Sequence, residues 1–235
     1  MVHVYSLSPS SGDSGVVMDI RMVDGNVVDT TGNFNPKVVD SIPSYYDGTY
    51  GDCMDMRNGC IDLNDFKPWF KDHWDNRKPF TVELFFNTIT GSSNSVLFGC
   101  VGWGGSDTPG DNCPGNIMWT STDLKTRTVY GTRWLNQTTQ IYGHAAGKWE
   151  YVIYCVEGEY AVTMRGSYVN TNYIFDGRNN FTKIEGQIVN SSPLRVGGRT
   201  YEFNSATRPA GVRWPAYLHH VRVYDYAITK TRNNT

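Results

Sequence analysis

Three tryptophans, Trp103 in GWGGSD, Trp134 in TRWLNQ and Trp214 in VRWPAY, lie on or beside loop-type sequence. An exposed indole can stack on the apolar face of a sugar ring while nearby amides and carboxylates bond the ring hydroxyls. Asp107 supplies such an acceptor close to Trp103. Trp103 and Asp107 are therefore the leading ligand-side pair, with Trp134 and Trp214 as further candidates and packing beneath a long loop as the competing role. Hydrolysing a glycosidic bond would instead need two neighbouring carboxylates, which on a strand must sit at even spacing to share a face. Glu157 and Glu159 meet that spacing but flank Gly158, so they read as solvated turn charges. His219 and His220 are adjacent on a strand pattern, which turns their rings to opposite faces and discourages joint chelation of one ion. His219 is expected to be partly buried beside Val221, and His144 to lie on a loop. No nucleophile elbow, phosphate-binding glycine loop or His-Glu metal motif occurs.

These side chains need a scaffold, and the composition indicates its class. Of 235 residues, 14% are aromatic, and 24 are glycine and 15 tyrosine, a bias towards strands joined by tight turns. The chain is read as one domain over 1–235, with 1–14 as an N-terminal arm. A net charge of -2 with scattered basic residues leaves no electrostatic footprint for nucleic acid. No apolar run is long enough for a membrane span, and the first residues lack the basic start and apolar core of an export signal. Five cysteines, Cys53, Cys60, Cys100, Cys113 and Cys155, include no pair two residues apart, so zinc-ribbon and redox readings fail. Reduced thiols are the default, with one disulfide as the alternative.

Alternation marks the strands. Residues 15–33 read as strand, Asp24-Gly25 turn, strand and polar loop; 53–63 as a hairpin about Asn58-Gly59; and 64–78 as a short helix with Pro68 near its start. Trp69 and Trp74 are expected to pin that helix to the core. Phe80, Val82, Leu84 and Phe86 line one face of the best core strand, with Thr81, Glu83 and Phe85 opposite. Further strands fall at 95–101, 116–120, 126–131, 149–156, 159–165 and 193–197, and Trp149 is expected in the core. A hairpin joins 149–156 to 159–165 through Glu157-Gly158. In Ala216 to Thr229, Val221 and Val223 face one way and Arg222 and Tyr224 the other. This stretch is expected to close the fold against 15–22. About ten short strands and almost no amphipathic helix indicate an all-β fold, a sandwich or jelly roll.

Four pieces, in order, resemble the concanavalin A-like lectin/glucanase superfamily and within it the laminin G-like domains. They are MDIRMVDGNVVDTTGNFN, FTVELFF, GKWEYVIYCVEGEYAVTMRGSYV, and the final pair LRVGG and YLHHVRVYDYAIT. The resemblance implies a jelly-roll β-sandwich of two antiparallel sheets over nearly the whole chain. The E-x-D-x-x-E pattern of its glucanases is absent, and His219-His220 stands where relatives often carry acidic residues. Some members bind calcium through an early-loop aspartate. Asp29 and Asn33 match that loop, and capping of an Asx-type turn is the equal alternative, because calcium takes six to eight oxygens. No cofactor is required otherwise.

The function implied is a non-catalytic, lectin-like surface module similar to stand-alone proteins of phage virions. It would sit on the virion surface and bind glycans or neighbouring capsid or tail proteins, with a homo-oligomer as one form. The alternative is a secreted bacterial carbohydrate-active enzyme or its binding domain, placed outside the cell or on its surface. The N-x-Ser/Thr triplets at Asn136, Asn180 and Asn190 would matter only in a eukaryotic secretory context.

Overall fold

Apolar residues at every second position dictate strands with two distinct faces, and the computed structural model shows them. It describes residues 4–5, 15–89, 95–99, 117–120, 125–129, 138–143, 146–169, 172–178, 182–184, 187, 193–197 and 214–227. The strands are β1 (Val4–Tyr5), β2 (Val16–Val23), β3 (Asn26–Asp29), β4 (Lys37–Asp40), β5 (Ser44–Asp47), β6 (Gly51–Asp55), β7 (Gly59–Asp62), β8 (Phe80–Thr88) and β9 (Ser95–Gly99). They continue with β10 (Ile117–Thr120), β11 (Lys125–Val129), β12 (Thr138–Gly143), β13 (Trp149–Glu157), β14 (Tyr160–Val169), β15 (Asn172–Arg178), β16 (Thr182–Lys183), β17 (Arg195–Val196) and β18 (Ala216–Tyr224). One helix, α1 (Lys67–Asp75), lies between β7 and β8. No described helix is long and apolar enough to cross a membrane.

The larger sheet runs β1-β15-β14-β13-β8-β18-β2-β3, with β6 also paired to β18, β5 to β6 and β16 to β14. The smaller runs β12-β11-β10-β9-β17-β7-β4, and every pairing in both is antiparallel. This is the expected β-sandwich. Its core holds Met18, Ile20 and Met22 of β2, Phe80, Val82, Leu84 and Phe86 of β8, Val152, Tyr154 and Val156 of β13, and Leu218, Val221 and Val223 of β18, together with Ile61, Phe98 and Val196 of the smaller sheet. The last strand does more than close an edge: β18 lies between β8 and β2.

Turn chemistry explains one connection and corrects another. Asp24 (φ 48°) and Gly25 (φ 76°) form the left-handed pair that a two-residue β2–β3 hairpin demands. The Asn58-Gly59 segment is not a hairpin: β6 pairs with β5 and β18, whereas β7 pairs with β17 and β4, so the chain crosses here from one sheet to the other. Gly59 is needed for close approach, since a Cβ there would lie 2.6 Å from the Ser41 carbonyl oxygen and 2.5 Å from Ile42. The β13–β14 hairpin forms with Glu157 opposite Tyr160, which makes Gly158 and Glu159 its loop residues.

Helix α1 carries Pro68 in its first turn, where a missing N–H costs nothing. Phe66, Phe70 and Trp74, spaced by one turn, are fully buried, and Trp69 packs against the same core. Cys53, Cys60 and Cys155 are buried. Burial, aided by the Asp47 and Asp52 charges, pushes the Cys53 thiol up to about 12, which keeps it protonated and inert.

Candidate functional site

The face of the larger sheet that points away from the core carries the polar and aromatic residues that the alternation leaves over. Register sets them in rows across β13, β8, β18 and β2. Ile153, Glu83, Arg222 and Asp19 form one row; Trp149, Asn87 and Tyr217 form another across the first three strands. Between these rows the β8–β18 ladder slips: Leu218 pairs with Phe86 and His220 with Phe85, so His219 is an extra residue in a β-bulge. Both rings therefore flank Phe85, His219 at 5.6 Å and His220 at 5.8 Å between ring centroids. The opposite orientation expected of adjacent strand residues does not hold, because that expectation assumes an unbroken pleat.

The bulge brings His219 Nδ1 and His220 Nδ1 within 2.7 Å. His220 Nε2 lies 3.2 Å from Glu83 Oε1, and Tyr224 donates its hydroxyl to Glu83 Oε2 at 2.6 Å. Glu83 is fully buried and His220 nearly so. Burial alone would raise the Glu83 carboxyl, but the His220 hydrogen bond and charge, the Arg222 charge and the Tyr224 hydroxyl outweigh it and hold Glu83 at about 2. An ionised Glu83 accepts only, so His220 Nε2 must carry a hydrogen. Burial and the Glu83 charge push the Tyr224 phenol well up, which keeps it a donor. His219 is driven down to about 4 by its burial first, then by the charges of His220 and Arg21, while a ring N–H directed at the Tyr50 carbonyl and the Asp19 charge work the other way. Asp19 takes hydrogen bonds from Nε of Arg21 and from Nε and Nη2 of Arg222.

Beside the histidines lies an aromatic group. Tyr50 packs on Phe85 (5.0 Å), Trp149 (5.1 Å) and His219 (6.3 Å), and Phe85 stacks on Tyr151 at 4.2 Å. Trp149 donates its indole N–H to Asp47 Oδ2 at 3.1 Å. Against partial burial, the Thr49 and Tyr50 N–H groups and that indole hold the Asp47 carboxyl below the usual range. Tyr45 stacks on Tyr217 at 3.6 Å, with the Arg57 guanidinium 5.8 Å from the Tyr217 ring centre and itself paired to Asp55. Trp149, Tyr50, Tyr45, Tyr217 and His219 are all half-buried. Trp149 is thus on the outer face and not in the core as expected.

Trp103, Asp107, Trp134 and His144 lie outside the described residues. Trp214 is fully buried and packs edge-on to Phe86 at 4.8 Å; its indole is core, which corrects its candidacy as a ligand platform. Glu157 and Glu159 are exposed at the hairpin, as solvated charges should be. Asp29 accepts hydrogen bonds from the N–H groups of Asp19, Thr31, Asn33 and Phe34 and from the Thr31 hydroxyl, while Asn33 donates its amide to the Val17 carbonyl. A carboxylate ringed by donors fits the Asx-type turn and does not fit a calcium ligand, which needs lone pairs free to face the cation. Among the described residues, no group of three or more His, Cys, Asp or Glu is placed to hold a metal. Glu83 and Tyr217 were passed over in the sequence reading, His220 was set aside with His219 and Trp149 was assigned to the core, although a lone carboxylate inside the apolar run FTVELFF was a usable signal.

The chain matches no family model and no curated protein. It is similar in fold to domain 4 of AbnA, a GH43 extracellular arabinanase from Geobacillus stearothermophilus solved with arabinotriose: TM-score 0.56 and 12% identity, covering 92% of this chain and 94% of that one. A Trypanosoma rangeli sialidase superposes with TM-score 0.61 at 13% identity over 97% of this chain and 34% of its own. The binding domain of botulinum neurotoxin DC, solved with SialylT, gives TM-score 0.57 at 8% identity over 92% of this chain and 49% of that one. The chain therefore spans about a third of the sialidase and about half of the toxin domain. At these identities the likeness is one of fold.

Proposed function

We propose that this chain is a non-catalytic glycan-binding module of the concanavalin A-like type. Its ligand lies against the half-buried aromatic group formed by Trp149, Tyr50 and Tyr217. That group carries the reading: three rings from three separate segments gather on one sheet face beside Asp47 and Asn87, the mix of apolar faces and hydrogen-bonding groups that a sugar ring uses. The similarity to an arabinanase domain of matching extent, solved with an oligosaccharide, adds support. The non-catalytic part is supported by Glu83 and Asp19. Arg222 lies between them in register, so their strands are about 10 Å apart. The Glu83 carboxyl is held low, the opposite of what a general acid requires.

Binding to a panel of neutral and sialylated oligosaccharides, measured by calorimetry on the full chain, tests this. Trp149→Ala and Tyr217→Ala should each weaken binding at least about tenfold while the near-UV circular dichroism stays native. Unchanged affinity in both would remove the site. Release of reducing sugar by the wild type would overturn the non-catalytic reading. The proposed location remains the virion surface; finding the chain free in culture supernatant and absent from purified particles would exclude it.

A further inference from the structure

The His219–His220 contact sits beside the proposed platform, and its hydrogen count is limited. His220 Nε2 must present a hydrogen to Glu83, and the 2.7 Å line between the two Nδ1 atoms has room for one proton. The pair can thus carry one positive charge, balanced by Glu83. With a second, two N–H groups would confront each other across that line, and the contact must break.

The surroundings decide where a doubly charged pair goes. On β18 His219 meets His220, with Arg222 further along; on β2 it feels Arg21 and Asp19; on β8 Glu83 contacts His220; and on β13 Trp149 packs beside His219 and Tyr151 beside His220. A further carboxylate among the described residues is Asp47, which feels the His219 charge and anchors the Trp149 indole. A charged His219 that leaves His220 therefore competes with Trp149 for Asp47 and withdraws its ring from Tyr50 and Phe85.

We propose that the bulged histidine pair makes the aromatic platform acid-labile, so that the 47–51 segment loosens and ligand is released when the pair takes up its second proton. The release of ligand rests on the glycan-binding reading; the loosening does not. With His219 free to titrate near 6.5 once released, against about 4 in place, opening should become at least tenfold more frequent between about pH 7 and about pH 4.5.

Hydrogen exchange of residues 47–51 in the full chain, corrected for intrinsic rates, reads the loosening without any ligand. The expected result is at least tenfold faster exchange at the lower pH, no comparable change in the β2–β3 hairpin, and loss of the effect in His219→Gln. Equal exchange at both pH values, or an undiminished effect in His219→Gln, overturns the proposal. Should that variant not fold, imidazole NMR of the wild type decides: titration of His219 near 4 supports the device, and titration near 6.5 with flat exchange sinks it. In calorimetry, an oligosaccharide bound at neutral pH should bind several-fold more weakly at the lower pH. Faster exchange with unaltered affinity overturns the link to binding, whereas no binding at either pH defeats the glycan reading and leaves the exchange result standing.

Discussion

Glu83 Oε1 and His220 Nε2 lie 3.2 Å apart across the β8–β18 ladder, at a depth where neither side chain has more than marginal contact with solvent. Removing one member of such a pair strands the other. Glu83→Leu and His220→Leu should each destabilise the fold by about 3–5 kcal/mol, and the double variant by clearly less than the sum. Chemical denaturation of the four proteins checks this; strict additivity would show that the two groups are not coupled.

Stability should fall in two stages on acidification. His219 is depressed in the fold, so the unfolded chain binds more protons between about 6.5 and about 4, and stability drops as pH falls through that window. Glu83 is also depressed, and its contribution is present above about 4.5 and lost as pH falls towards about 2. Thermal midpoints should decline through both windows, with the upper decline reduced in His219→Gln. A midpoint flat from pH 7 to about pH 4.5 would contradict the upper stage.

Asp29 organises its loop through donors contributed by five groups. Asp29→Ala should destabilise by about 3 kcal/mol, since several of the lost hydrogen bonds were to a charged acceptor. Millimolar calcium should leave the thermal midpoint of the wild type unchanged. A rise that disappears in Asp29→Ala would reinstate the metal.

Trp214 fills the core against Phe86. Trp214→Ala should cost about 3–5 kcal/mol through lost burial and a residual cavity, while the variant that still folds keeps its ligand affinity. Reduced affinity without reduced stability would return Trp214 to the list of binding residues.

Much of the sandwich could be read from the order of residues, because a period of two assigns faces without knowledge of partners. Phe80, Val82, Leu84 and Phe86 went to the core, Asp24-Gly25 made its hairpin, and Pro68 opened the helix. Asn58-Gly59 misled because the same dipeptide serves a hairpin and a crossing between sheets; only the pairing of the flanking strands separates the two.

The site depended on something no local pattern holds. The order of residues settled which side chains β8, β13 and β18 would carry and that a single carboxylate would interrupt an apolar strand. The tertiary structure alone decided that β18 would lie between β8 and β2 and slip by one residue against Phe85. That slip is set by the hydrogen-bonding partners on neighbouring strands. It turned two histidines expected on opposite faces into a contacting pair, set His220 on a buried glutamate, and placed His219 beside Trp149 and Tyr50.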